Sequence, residues 1–108
     1  MPSRVLYSVH FKVPLTKERE WNRWHDQEHI PEVLALPGFV SARKFRCVSN
    51  DTKYAQYLVL YELRNMAAYE QYVKSEDGVV LRQKYLDAYG AATHINRRVW
   101  KETLNLIK

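Results

Sequence analysis

A chain of 108 residues makes one domain, and its 46% hydrophobic and 27% charged content excludes a disordered or fibrous class. The formal charge of +5 comes from 17 Lys and Arg against 12 Asp and Glu. The basic residues are scattered rather than striped, which argues against nucleic acid as a partner, and no apolar run approaches the ~20 residues of a membrane span.

Residues 5–13 alternate as a strand, with Val5, Tyr7, Val9, Phe11 and Val13 on one face and Leu6, Ser8, His10 and Lys12 on the other. Pro14 ends it. Thr16 is placed to cap a helix running from about Lys17 to His29, and Pro31 either kinks that helix or opens a second short piece through Leu36. Pro37-Gly38 turns the chain into a second strand, about Phe39–Val48, with Cys47 as a small apolar filler near its end. After the polar turn from Ser49 to Thr52, Tyr54–Leu63 reads as a third strand and completes a hairpin. Asn65 caps a helix through about Val73, Glu76-Asp77-Gly78 interrupts it, and Val79–Tyr89 is helical again. Ile95–Leu104 alternates as a final strand.

The order β-α-β-β-α-β is the ferredoxin-like pattern, an α+β fold with a four-stranded antiparallel sheet and helices on one face only. The third strand carries apolar side chains on both faces, so a bare second face would expose a sizeable patch. Pairing with a second copy covers it, and a homodimer of single-domain chains (residues 1–108) is expected. The lone Cys47 excludes an intramolecular disulfide and any cysteine-based zinc cluster. The stretch from Met1 to Phe11 enters a strand pattern with no apolar leader segment, so the expected location is cytoplasmic.

The chemistry concentrates in WNRWHDQEHIPEVLALPGF, Trp21 to Phe39, which holds two of the three tryptophans and two of the four histidines. His25 and His29 lie four apart, one turn along one helix face. Imidazole titrates near neutrality, which suits proton transfer at a phenol or a carbon acid; either ring alternatively caps the helix dipole. A metal is not expected. The zincin pattern needs Glu directly after the first histidine, where Asp26 stands, and only His10 or His94 remains as a third imidazole. Three glycines leave no room for a phosphate-cradling loop or a dinucleotide fingerprint, so no bound cofactor is expected either.

Tyr7, Tyr57 and Tyr61 are candidate donors to an oxyanion, or else packing residues. Trp21 and Trp24 form either a ligand platform or part of the core, and His10 faces either a pocket or a dimer interface. Arg43 is available to a substrate carboxylate or to Glu62 across the hairpin.

The run W-x-x-W-H-x-x-E-H-I-P (Trp21 to Pro31), followed by L-x-L-P-G-F (Leu34 to Phe39), A-R-K-F (Ala42 to Phe45) and Y-L-V-L-Y-E-L (Tyr57 to Leu63), resembles the dimeric α/β-barrel superfamily, particularly its EthD-like and related uncharacterised branches. The resemblance covers about the first 65 residues well. It implies two ferredoxin-like protomers pairing sheet to sheet, each with a pocket between its sheet and helices, and a histidine at the end of the first helix facing that pocket. Such relatives include cofactor-free monooxygenases acting on polyketide quinols, polyketide cyclases, muconolactone isomerases and, more distantly, haem enzymes.

Fold alone does not choose among these chemistries. The resulting expectation is a small cofactor-independent enzyme acting on a hydrophobic aromatic or polyketide-like molecule. His29 or His25 serves as base, and His10 or a tyrosine stabilises the oxyanion. Lyase, dehydratase, isomerase, cyclase and monooxygenase outcomes share that first step. The alternative is a non-catalytic small-molecule-binding or stress-related dimer.

Overall fold

A computed structural model describes residues 4–108, and its sheet is organised around β1 (Val5–Pro14). The first three residues of the N-terminal stretch read above for a leader lie outside the described residues. β1 pairs antiparallel with β3 (Tyr54–Leu63) on one side and β4 (His94–Lys101) on the other. β2 (Phe39–Arg46) adds outside β3, giving the order β2-β3-β1-β4. Val9 stands opposite Val59 and Arg97, and His10 opposite Leu58 and Asn96. Strand alternation therefore separates two faces. Val5, Tyr7, Val9, Phe11 and Val13 are buried with their β3 partners Tyr57, Val59, Tyr61 and Leu63.

Helices α1 (Glu18–Trp24), α2 (Ile30–Leu34), α3 (Met66–Lys74) and α4 (Glu76–Tyr85) cover that buried face. The molecule measures 45 × 40 × 20 Å, the thin dimension being one sheet plus one helix layer. The predicted ferredoxin-like α+β fold is the one observed. No helix among the described residues is long and apolar enough to cross a membrane.

Local chemistry explains both the agreements and the shifts. The third strand has the predicted ends, and Asn65 caps α3 by accepting from the Ala68 amide at 2.9 Å. Thr16 caps nothing, because Pro14, at φ −57°, leads straight into a single 3₁₀ turn over Leu15–Lys17. Gly78 is not a break. It lies inside α4, whose cap is Ser75, and a Cβ there would sit 2.3 Å from the Tyr72 carbonyl oxygen. β2 stops at Arg46, so Cys47, expected as an apolar filler, is exposed just beyond it. β4 likewise stops at Lys101, short of Leu104.

The second face of the sheet has no cover among the described residues. Leu6, Phe45 and Trp100 are 38%, 40% and 48% exposed there. Polar side chains between them pair with each other: His10 Nε2 lies 2.9 Å from Gln56 Oε1, and Trp100 Nε1 donates to Ser8 Oγ at 2.7 Å.

Candidate active site

The histidine-bearing segment does not stop at Pro31. Proline at that position has no amide to give and would press on the carbonyl one turn back. The chain widens instead: His25–His29 form a π turn in which the Ile30 amide donates to the His25 carbonyl, five residues back. Pro31 then sits harmlessly in the first turn of α2. The widened turn lets four rings stack in sequence. Trp21 lies on His25 (centroids 4.4 Å), His25 on His29 (5.8 Å), and His29 on Trp24 (5.0 Å), with interplanar angles of 24°, 19° and 17°.

His25 has no exposed surface and sits at the end of a polar knot centred on Lys44. Lys44 Nζ reaches Asp26 Oδ1 at 2.6 Å, Asn22 Oδ1 at 2.7 Å and His25 Nδ1 at 3.1 Å. An ammonium has three protons and no lone pair, so His25 Nδ1 accepts and its own proton sits on Nε2. That Nε2 has no partner. Asn22 in turn donates to Tyr57, whose hydroxyl donates to Glu18, which also accepts from Arg46. Burial, then Lys44, then His29 hold the His25 pKa down to about 2, so the ring is neutral. Burial also lowers the Lys44 pKa, against the pull of Asp26.

His29 faces a different space, a cleft between the sheet and α4. Tyr7, Tyr61, Tyr72 and Tyr85 wall it, with Arg82 and Arg97 at its edges. It is tight, with about 20 Å³ open to water, room for about one molecule. His29 Nδ1 is buried without a partner. Burial lowers the His29 pKa to about 4; Glu32 opposes the shift, while Lys84 and Arg97 reinforce it. Burial also raises the Tyr7 and Tyr61 hydroxyls well above the usual phenol range, so both stay protonated. Tyr85 is held from behind: its oxygen accepts from Trp21 Nε1 at 2.9 Å and lies 2.9 Å from Thr93 Oγ1. Thr93 already donates to the Tyr89 carbonyl at 2.7 Å, so the Tyr85 proton goes to Thr93.

A family model for a domain of unknown function, DUF4286, matches residues 4–103. The chain belongs to the DUF4286 family. No curated protein matches it in sequence. Among solved structures, this DUF4286 chain is similar to an EthD-family protein of Bacillus halodurans, at TM-score 0.71 and 12% identity, over 92% of this chain and 99% of that one. A candidate antibiotic biosynthesis monooxygenase of Bacillus cereus matches at TM-score 0.67 and 12% identity, over 98% and 99%. SnoaB, a cofactor-independent oxygenase of Streptomyces nogalater, matches at 0.62 and 15%, again over 98% and 99%. At such identities the likeness is one of fold, and that fold is shared with EthD proteins and small monooxygenases.

The DUF4286 chain sorts the residues singled out from its sequence into separate places. His29, Tyr7 and Tyr61 meet at the cleft. Trp24 is half-buried, stacked on His29 and against Tyr89 (5.2 Å). His25 and Trp21 are fully buried behind that layer and do not line the cleft. Tyr57 belongs to the Lys44 knot rather than to a ligand wall. His10 lies on the far face of the sheet with Gln56, so it cannot share a substrate with His29 within one chain. Arg43 is on that face as well, exposed and over the Phe45 ring, while Glu62 pairs with Arg4 instead.

Lys44, Tyr85, Arg82 and Arg97 were missed. The signal for two of them was strand parity, which turns Lys44 and Arg97 to the helix side, opposite Val59 and Val9. Among the described residues no three His, Cys, Asp or Glu side chains converge on one point.

Proposed function

We propose that this DUF4286 chain is a small enzyme acting, without a bound cofactor, on a hydrophobic aromatic or polyketide-like molecule, with His29 moving the proton. One observation carries the reading: a neutral imidazole with an unpaired nitrogen at a cleft walled by tyrosines. With its pKa near 4, His29 is wholly in its base form at neutral pH. It takes a proton from a phenol or from a carbon beside a carbonyl, and negative charge develops on the substrate oxygen. The Tyr7 and Tyr61 hydroxyls, kept protonated by burial, are the donors suited to that oxygen. An electron-rich carbanion then reacts with O₂, and the likeness to SnoaB supports this branch over lyase or isomerase outcomes. The cleft admits about one water, so a larger substrate has to displace Arg97, the exposed side chain at its edge. A second copy on the open sheet face, over Leu6, Phe45 and Trp100, belongs to the same reading.

The test is oxygen uptake and product formation with a panel of polycyclic quinols and phenols. His29→Ala and His29→Gln are expected to lose about a hundredfold or more in turnover. Unchanged turnover in both variants removes His29 from the chemistry. A second reading, binding without catalysis, draws on the same low pKa, because an imidazole near 4 is a weak base. Saturable binding with no turnover of any panel member decides for it.

A further inference from the structure

Resting on the cleft as the ligand site, the inference concerns what the ligand must carry. The carboxylates that pair among the described residues are taken up elsewhere: Glu18 by Arg46, Glu20 by Lys17, Asp26 by Lys44, Glu32 by Lys84 and Glu62 by Arg4. Neither Arg82 nor Arg97 has a carboxylate partner among the described residues, and no acidic side chain lines the cleft both of them edge.

Arg82 is also pinned. Its guanidinium lies 4.7 Å over the Tyr72 ring and Nη2 donates to the Val73 carbonyl at 2.8 Å, while Nη1 is buried with no acceptor among the described residues. A buried, unpaired guanidinium nitrogen is costly in a protein interior, and it is relieved by an anion. Arg97 lines the same cleft, alongside Tyr7, His29 and Tyr85. The remaining walls, Val9, Phe11 and Tyr61, are apolar or aromatic.

We propose that this cleft selects aromatic acids: the carboxylate takes the water-sized space beside Arg82 Nη1 and Arg97, and the ring lies outward at the Arg97 edge. Two guanidiniums suit a carboxylate because a charge-assisted pair is about twice as strong as a neutral hydrogen bond.

Titration calorimetry with 1-naphthoate, the neutral isostere 1-naphthamide, and inorganic phosphate tests this. Naphthoate is expected to bind about tenfold or more tightly than naphthamide. Arg82→Gln and Arg97→Gln should each erode that preference and together abolish it, whereas Arg97→Lys keeps part of it. Equal affinity for acid and amide in the wild-type protein overturns the proposal, and that comparison stands even where a variant fails to fold. A preference that survives the double variant overturns it too, as does phosphate binding as tightly as naphthoate. Failure here is distinguishable from failure of the catalytic reading. Turnover of neutral aromatics that ignores both arginines defeats only the anion subsite. A clear preference for naphthoate with no turnover of any substrate defeats only catalysis.

Discussion

His25 and His29 lie one turn apart and share a stack of rings, but the polar groups around them are treated in opposite ways. On the His25 side the chain pairs its own charges. Lys44 donates to Asn22, Asp26 and His25, and the bonding continues through Tyr57 to Glu18 and Arg46. On the His29 side the groups stay single, with His29 Nδ1 and Arg82 Nη1 both buried and unpartnered. A closed set of partners fixes geometry and leaves nothing to offer a ligand. Unpartnered polar atoms beside excess positive charge leave an interaction for something from outside to complete. On the proposed reading the first region is scaffold and the second is site.

The largest effect expected from this contrast is on acid stability, since both rings are folded away uncharged. Their folded pKa values, about 4 for His29 and about 2 for His25, lie below the ordinary 6.5. Between those values the unfolded chain binds more protons, so stability rises with pH. The contribution is whole above pH 6.5 and is lost as pH falls through about 4 for His29 and about 2 for His25. For His29 alone it is on the order of 3 kcal/mol. Urea unfolding at pH 7 and at pH 4.5 measures it, and His29→Gln should flatten part of the slope. A wild-type protein equally stable at both pH values would falsify the assignment of two neutral rings.

Next in size is a paired substitution that sets knot against cleft. Lys44→Met keeps the aliphatic stem but leaves Asn22 Oδ1 and His25 Nδ1 without their donor. A cost of about 2 kcal/mol is expected. Arg82→Met removes an unpaired buried nitrogen, at the loss of the Val73 carbonyl's partner and of the cation over the Tyr72 ring. Its cost should stay below that of Lys44→Met, at about 1 kcal/mol or less. Chemical denaturation of both variants reads the difference directly. Equal losses would mean that Arg82 supports the fold in the way Lys44 does.

Much of this architecture was legible because it depends on local signals. Alternation in Val5–Val13 and Tyr54–Leu63 marks the buried face, and Asn65 marks a cap with a short polar side chain. The segment Trp21 to Phe39 supplies His29, which lines the cleft, and Trp24, which stacks on His29 outside that lining. The division of labour within it was not legible. Spacing puts His25 and His29 on one helix face, but only the packed sheet and α4 decide that one ring is covered and the other meets a cleft. Arg82 is harder still. It carries no sequence mark that separates it from Lys84, and its role comes from the absence of a partner, which only three-dimensional packing shows. Arg43 misled because it stands one residue from Lys44, and one residue on a strand is the other face.

The smallest expected effect tests the wall between the two regions. Tyr85 touches both: its ring lies 5.4 Å from His29 and 6.1 Å from His25, and its hydroxyl joins Trp21 to Thr93 behind them. Because that hydroxyl accepts from Trp21 and gives its proton to Thr93, it has no proton left for a ligand. Tyr85→Phe should therefore cost about 1 kcal/mol by leaving the Trp21 N–H unpaired in the core. Naphthoate affinity and quinol turnover should both stay at the wild-type level, because the ring that shapes the cleft is retained. A large fall in turnover with stability unchanged would place the Tyr85 hydroxyl on the ligand side, and the boundary between scaffold and site would then run behind Tyr85 rather than through it.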